Sequence, residues 1–203
     1  MNFRVQSAKK ILKDIQIDNL LDVGCRDCSL RSVLPPRVTY YGNDLFQNSD
    51  GSVDFVGDFM SIEFPMNFDC VIALDVVEHV DDPYSLVDRI FSISKKYIII
   101  SLPNIFDIEH KKNFLLNNTL GGKYHFGTEN QMDRHRWVMN YDEIRAFFLA
   151  QAERHGATVR MEDVTVGNVS KRPITQLISS LAVSTIARKS FTRTIIAQFE
   201  KRN

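Results

Sequence analysis

Leu20–Cys28 reads LLDVGCRDC, a short apolar run that ends in an acidic residue and a glycine. Such a run is what a buried strand shows where it turns over into a helix, and glycine lets the backbone turn sharply there. Outward from it the same grammar repeats. Thr39–Leu45 (TYYGNDL) is a second strand candidate, Val53–Val56 a third, and Phe68–Leu74 (FDCVIAL) a near-continuous apolar run suited to a central parallel strand. Pro83–Ser94 reads as a helix and Lys96–Leu102 (KYIIISL) as a further buried strand stopped by Pro103. Before the first strand, Val5, Ala8, Ile11, Leu12 and Ile15 recur at helical spacing and predict an amphipathic helix over Phe3–Ile17. Strands alternating with helices imply βαβ units, hence an α/β fold with a doubly wound, mostly parallel sheet.

After the fifth strand the pattern changes. Residues 104–139 are polar, carry Gly121, Gly122 and Gly127, and hold His110, His125 and His135, with a short helix at Lys111–Asn117. A long irregular stretch within a compact domain reads as a lid or binding segment. Regular structure resumes at Asn140, whose pairing with Glu143 predicts a capping box, and Gly156 supplies the stop. Ala157–Val166 suits a strand, Ile174–Ala187 a helix, and Thr192–Glu200 (TRTIIAQFE) a closing edge strand, antiparallel to its neighbour. No linker or repeat divides the chain, so residues 1–203 read as one domain.

Composition narrows the function classes. Lysine plus arginine equals aspartate plus glutamate at 25 each, so net charge supplies no reason to expect a nucleic-acid partner. The mildly basic run Ala187–Arg193 reads as solvated surface. No apolar run approaches the ~20 residues a membrane span needs. The first residues are too charged for a secretory leader, and three cysteines build no disulfide framework, so a reducing cytoplasm is the expected setting. Cys25-x-x-Cys28 has no second pair, and Asp82 before Pro83 is better explained as a helix cap than as a ligand; no metal site is expected.

The acidic residues carry the functional reading. Asp22, Asp44, Asp58 and Asp75 each follow one of four successive strand candidates, which places all of them on one edge of the sheet. In open α/β sheets ligands bind at that edge, and a carboxylate at the second strand tip characteristically takes a ribose diol. A nicotinamide cofactor is disfavoured because Gly-x-Gly-x-x-Gly is missing at Gly24.

With LLDVGCRDC, YYGNDLF, VGDF, FDCVIALDVVEHVDDP and YIIISLPN in this order over residues 18–104, the chain resembles the class I S-adenosylmethionine-dependent methyltransferases, in particular small bacterial types. The resemblance implies a Rossmann-like, seven-stranded sheet with an antiparallel last strand. It implies a cofactor, S-adenosylmethionine, with S-adenosylhomocysteine as product. It also implies roles. Asp22 and Gly24 would lie against the methionine moiety with Cys25 also in the cofactor site, Asp44 would hold the ribose, Leu45 would pack on adenine, Asp58 and Phe59 would flank it, and Leu74 and Asp75 would sit near the methyl group. The sequence departs from the family's glycine-rich first turn at Arg26 and Cys28.

Methyl transfer to a hydroxyl needs a base, and His79 is the expected one. His125, Asp133 and His135 are the second candidates for that base and, with Arg136, the expected acceptor contacts; Arg134, Lys123 and Tyr124 are candidates to hold an anionic or sugar acceptor, and Trp137 is either a stacking wall or core. The expected acceptor is a small molecule, with a sugar or glycan precursor favoured by the polar, histidine-bearing segment. A methyltransferase-like subunit that binds without catalysing is the alternative.

Overall fold

A computed structural model of the chain describes residues 3–124, 128–129, 133–165 and 185–202. A seven-stranded sheet runs through it in the order β3-β2-β1-β4-β5-β7-β6. The strands are β1 (Asn19–Val23), β2 (Thr39–Asp44), β3 (Phe55–Val56), β4 (Phe68–Leu74), β5 (Ser94–Pro103), β6 (Ala157–Thr165) and β7 (Thr192–Lys201). The first five pair in parallel, and β7 runs antiparallel to both β5 and β6. The chain therefore winds outward from β1 in both directions. That reversal lies between β1 and β4, the place where such sheets open a crevice.

Each face of the sheet has its own core. Leu21, Val23, Val71, Ala73, Ile98 and Ile100 point to one side, where α2 (Pro83–Ile93) and α4 (Tyr141–Arg154) pack. Leu20, Ile72, Ile99 and Ile196 point to the other, against α1 (Phe3–Lys13). The period-two alternation of strand side chains explains the division. Helix α2 buries Leu86, Val87, Ile90 and Phe91, each worth ~1.5–3 kcal/mol relative to exposure. Asp82 caps it by accepting from the Tyr84 and Ser85 backbone N–H groups. The expected capping box is present on α4, where Asn140 accepts from Glu143 N and Glu143 accepts from Asn140 N.

Four expectations need correction. The strand at Thr192–Lys201 is not an edge: it lies between β5 and β6, and the edge is β6. Its wholly buried Ile195, Ile196, Ala197 and Phe199 fit an interior strand. The first helix stops at Lys13, with Ile15 and Ile17 buried beyond it in the segment leading to β1. After β1 the chain forms a five-residue 3-10 turn, Ser29–Val33, instead of a full helix. The run Ala187–Arg193 is not merely solvated, since Arg188 pairs with Asp163, Lys189 with Asp142 and Arg193 with Glu109. Most of the helix expected over Ile174–Ala187 lies outside the described residues; helix α5 spans Thr185–Phe191. Among the described residues no helix is long and apolar enough to cross a membrane.

Candidate active site at the carboxyl edge of the sheet

The turn after β1 holds a glycine-type conformation with few glycines. Gly24 has φ +69°, and a Cβ there would come within 2.6 Å of Val76 Cγ2. The loop after β1 and the loop after β4 thus touch, and only glycine permits it. Arg26 and Cys28 both sit at φ +51°, the left-handed region that glycine favours. The backbone shape of a glycine-rich turn survives, at a cost of ~1–2 kcal/mol for each such residue. Asp75 at the end of β4 has φ +54°. Three of the four described non-glycine residues with positive φ therefore lie on one edge of the sheet, where strain commonly accompanies function.

The acidic residues stand on that edge in two environments. Asp22 is buried, and Tyr40 Oη donates to it at 2.8 Å. Burial pushes its carboxyl from an ordinary 3.8 up to about 7, against the opposing hydrogen bond from Tyr40. Asp44 accepts from Arg26 N at 2.8 Å and lines a cavity of about 320 Å³ with Arg26, Asp27, Phe46, Gln47 and Asn48. Leu45 beside it is exposed. Asp58 is exposed and accepts from Met60 N, whereas Phe59 turns into the core under Arg89. Cys25 also turns inward, its Sγ 3.5 Å from that of Cys28, and burial pushes its thiol pKa up. Leu74 packs beside the second core, and Asp75 accepts from Ser101 Oγ.

A larger cavity, about 450 Å³, opens next to Asp75. Three rings of its lining, His110, Tyr124 and His135, stand edge-to-face in a row that continues to His79, which is not itself part of the lining. His79 and His135 have centroids 4.5 Å apart, His135 and Tyr124 4.6 Å, and Tyr124 and His110 6.1 Å. Helix α3 (Ile108–Asn117) adds Glu109, His110 and Asn113. Its N-cap, Asp107, also takes a 2.9 Å contact from His110 Nδ1.

The 104–139 segment is tied to the loop after β4 by several polar contacts. Arg136 N donates to Glu78 O, Arg136 Nε to His79 O, Trp137 Nε1 to Val80 O, and His79 Nδ1 meets Arg134 O at 3.0 Å. The last contact makes Nδ1 the protonated nitrogen and leaves Nε2 with the lone pair. Burial, with Lys123 close by, lowers the pKa of His79, so the imidazole is neutral near pH 7.

Of the expected acceptor contacts, His135 lines the cavity, and Asp133 is not in the lining but binds the lining residue Lys123 at 2.6 Å. Arg136 instead pairs with Asp81 at 2.6 Å. His125 lies outside the described residues. Glu109, Asn113 and Arg193 also line the cavity, although sequence reasoning did not place them there. Arg193 arrives because the antiparallel pair Pro103↔Thr194 sets the start of β7 beside the end of β5. Asn104 secures that junction. Its buried side chain donates to Lys189 O at 3.0 Å and Thr192 O at 2.7 Å. The legible signal was the polar SLPN end of an otherwise apolar strand.

The profile of a methyltransferase-domain family matches residues 6–156. No curated protein matches the chain. Among solved structures, the small RNA methyltransferase HEN1 superposes with TM-score 0.66 at 18% identity, covering 98% of this chain and 25% of that one. The chain thus spans about a quarter of that protein's length. The methyltransferase domain of bacterial CtHen1 gives 0.63 at 15%, covering 98% and 97%. Magnesium protoporphyrin IX methyltransferase from Synechocystis PCC 6803, with bound S-adenosylhomocysteine, gives 0.59 at 15%, covering 98% and 82%.

Proposed function

Because this chain belongs to the methyltransferase-domain family, of the class I S-adenosylmethionine-dependent type, we propose that it transfers a methyl group from S-adenosylmethionine to a hydroxyl of a small, polar acceptor. The observation that carries the acceptor reading is the 450 Å³ cavity beside Asp75, with its histidine, tyrosine, lysine and arginine lining. Such walls suit a ligand rich in hydroxyls, and a sugar or glycan precursor is the class proposed.

The residues present fit the cofactor. A buried carboxylate with its pKa raised to about 7 gains from a cationic neighbour, which supports the reading that Asp22 would receive the ammonium of the methionine moiety. Asp44 is partly open at the β2 tip and offers oxygens to a ribose diol. Gly24 keeps the backbone low between them, and exposed Leu45 offers an apolar face to adenine. Arg26 does not close the turn, since its guanidinium reaches outward to Asp133 at 3.8 Å. When bound, the cofactor supplies a methyl group already activated on a sulfonium. The protein's share is alignment, exclusion of water and removal of one proton. His79, neutral and edge-on to His135, is the proton-accepting group at this end of the sheet, and Tyr124 and Lys123 orient the acceptor.

The test is incubation with labelled S-adenosylmethionine and a panel of sugar precursors, short RNA and small phenols. Label on a sugar hydroxyl supports the reading. Label only on RNA or phenols overturns the sugar assignment. Cofactor binding with no transfer to any acceptor favours the non-catalytic subunit, the reading that Arg26 and Cys28 motivate.

A further inference from the structure

Glu78, His79 and His135 bring one carboxylate oxygen and two imidazole nitrogens within 4.8 Å of one another. They come from two distant parts of the chain: the 3-10 turn Val77–His79 after β4, and the segment leading into α4. Glu78 is fully buried, and the side chains of His79 and His135 are 17% and 10% exposed. His135 Nε2 stands 3.8 Å from Glu78 Oε1.

We infer that these three side chains form a binding site for a divalent first-row transition cation at the acceptor cavity. Two imidazoles and one carboxylate are the donor set such ions take while keeping positions open. Donor atoms sharing one ion at ~2.0–2.2 Å lie roughly 3–3.5 Å apart, so a shift of about 1 Å closes the set. The outer contacts needed to aim it already exist. His79 Nδ1 is engaged by Arg134 O, which directs the Nε2 lone pair to the ligand role, as in histidine sites whose second nitrogen donates to a carbonyl. The backbone bond from Arg136 N to Glu78 O at 2.9 Å fixes one half of the site against the other. Lys123 Nζ lies 3.5 Å from His79 Nε2, so a positive charge already occupies the approach, held there by Asp133.

The inference rests on the acceptor reading above and deepens it. His135 lines the cavity, so an ion on it meets an acceptor oxygen there and lowers that oxygen's pKa. With an ion bound, His79 serves as a ligand and gives up the role of base proposed above, and the proton of the ion-bound acceptor oxygen passes to solvent.

The experiment titrates Co²⁺ into chelator-treated protein and follows its visible absorption, with Zn²⁺ as competitor. One saturable equivalent, bleached by Zn²⁺, is expected. His135→Ala and Glu78→Gln should each weaken Co²⁺ by roughly tenfold or more, with circular dichroism unchanged. If Glu78→Gln does not fold, His79→Ala takes its place. Lys123→Met, which removes the competing ammonium, should tighten binding severalfold. Absence of saturable Co²⁺ binding, or wild-type affinity in the His135 and His79 variants, overturns the site. Calorimetry with S-adenosylmethionine on the same samples separates the two readings. Cofactor binding without Co²⁺ binding sinks only the metal site, and Co²⁺ binding without cofactor binding sinks only the methyltransferase reading.

Discussion

Replacing Asp22 by asparagine tests the electrostatics of the cofactor edge without changing its shape. The buried carboxyl titrates near 7 in the folded protein against 3.8 ordinarily. A raised acid pKa means that the folded state prefers the neutral form. Stability from this group is therefore full below about pH 4, falls as pH rises, and levels off above about pH 7. A gap of about three pH units, at ~1.4 kcal/mol per unit, makes the whole loss about 4 kcal/mol. Between pH 5 and pH 8 the share is about 2.5 kcal/mol. The amide introduced by Asp22→Asn cannot ionise, and its carbonyl can still accept from Tyr40 Oη. Urea unfolding at pH 5 and pH 8 should show the wild type losing about 2.5 kcal/mol more than Asp22→Asn. Any constant penalty for the amide cancels in that difference. Parallel stability curves would refute the argument. In the same window a cationic ligand must ionise Asp22, so wild-type affinity for S-adenosylmethionine should weaken up to tenfold per pH unit below 7, and the variant's should not.

Gly24→Ala adds a methyl 2.6 Å from Val76 at a positive φ, and should cost about 3 kcal/mol, read as a lowered urea midpoint. Arg26→Gly relieves the left-handed strain at φ +51°. It should stabilise the fold by about 1 kcal/mol, and calorimetric affinity for S-adenosylmethionine should hold or improve; a loss of stability would show that the Arg26–Asp133 contact outweighs the strain. Asp44→Ala removes the proposed ribose acceptor and should weaken S-adenosylmethionine about 10- to 100-fold in calorimetry, with the fold checked by circular dichroism.

The parallel half of the sheet was legible because its strands are buried on both faces and read as apolar runs. Phe68–Leu74 was placed to the residue for that reason. Asp82 before Pro83 and the Asn140–Glu143 pair set two helix starts through local chemistry alone. The antiparallel half was less so. The position of β7 depends on long-range pairing with β5, and nothing local says that Thr192–Lys201 enters the interior of the sheet. Arg193 and Glu109 were missed for the same reason, since both reach the cavity through that pairing and through α3. Glu78 was hidden inside a motif read for its histidine. Its burial beside His135 depends on the return of the chain 57 residues later.

Calorimetric titration of S-adenosylmethionine into the wild-type protein at pH 8 decides whether this chain binds the methyl donor. A single saturable site near one equivalent, displaced by S-adenosylhomocysteine, is the predicted result. A folded protein that gives no binding heat and gains no thermal stability with either molecule would contradict it.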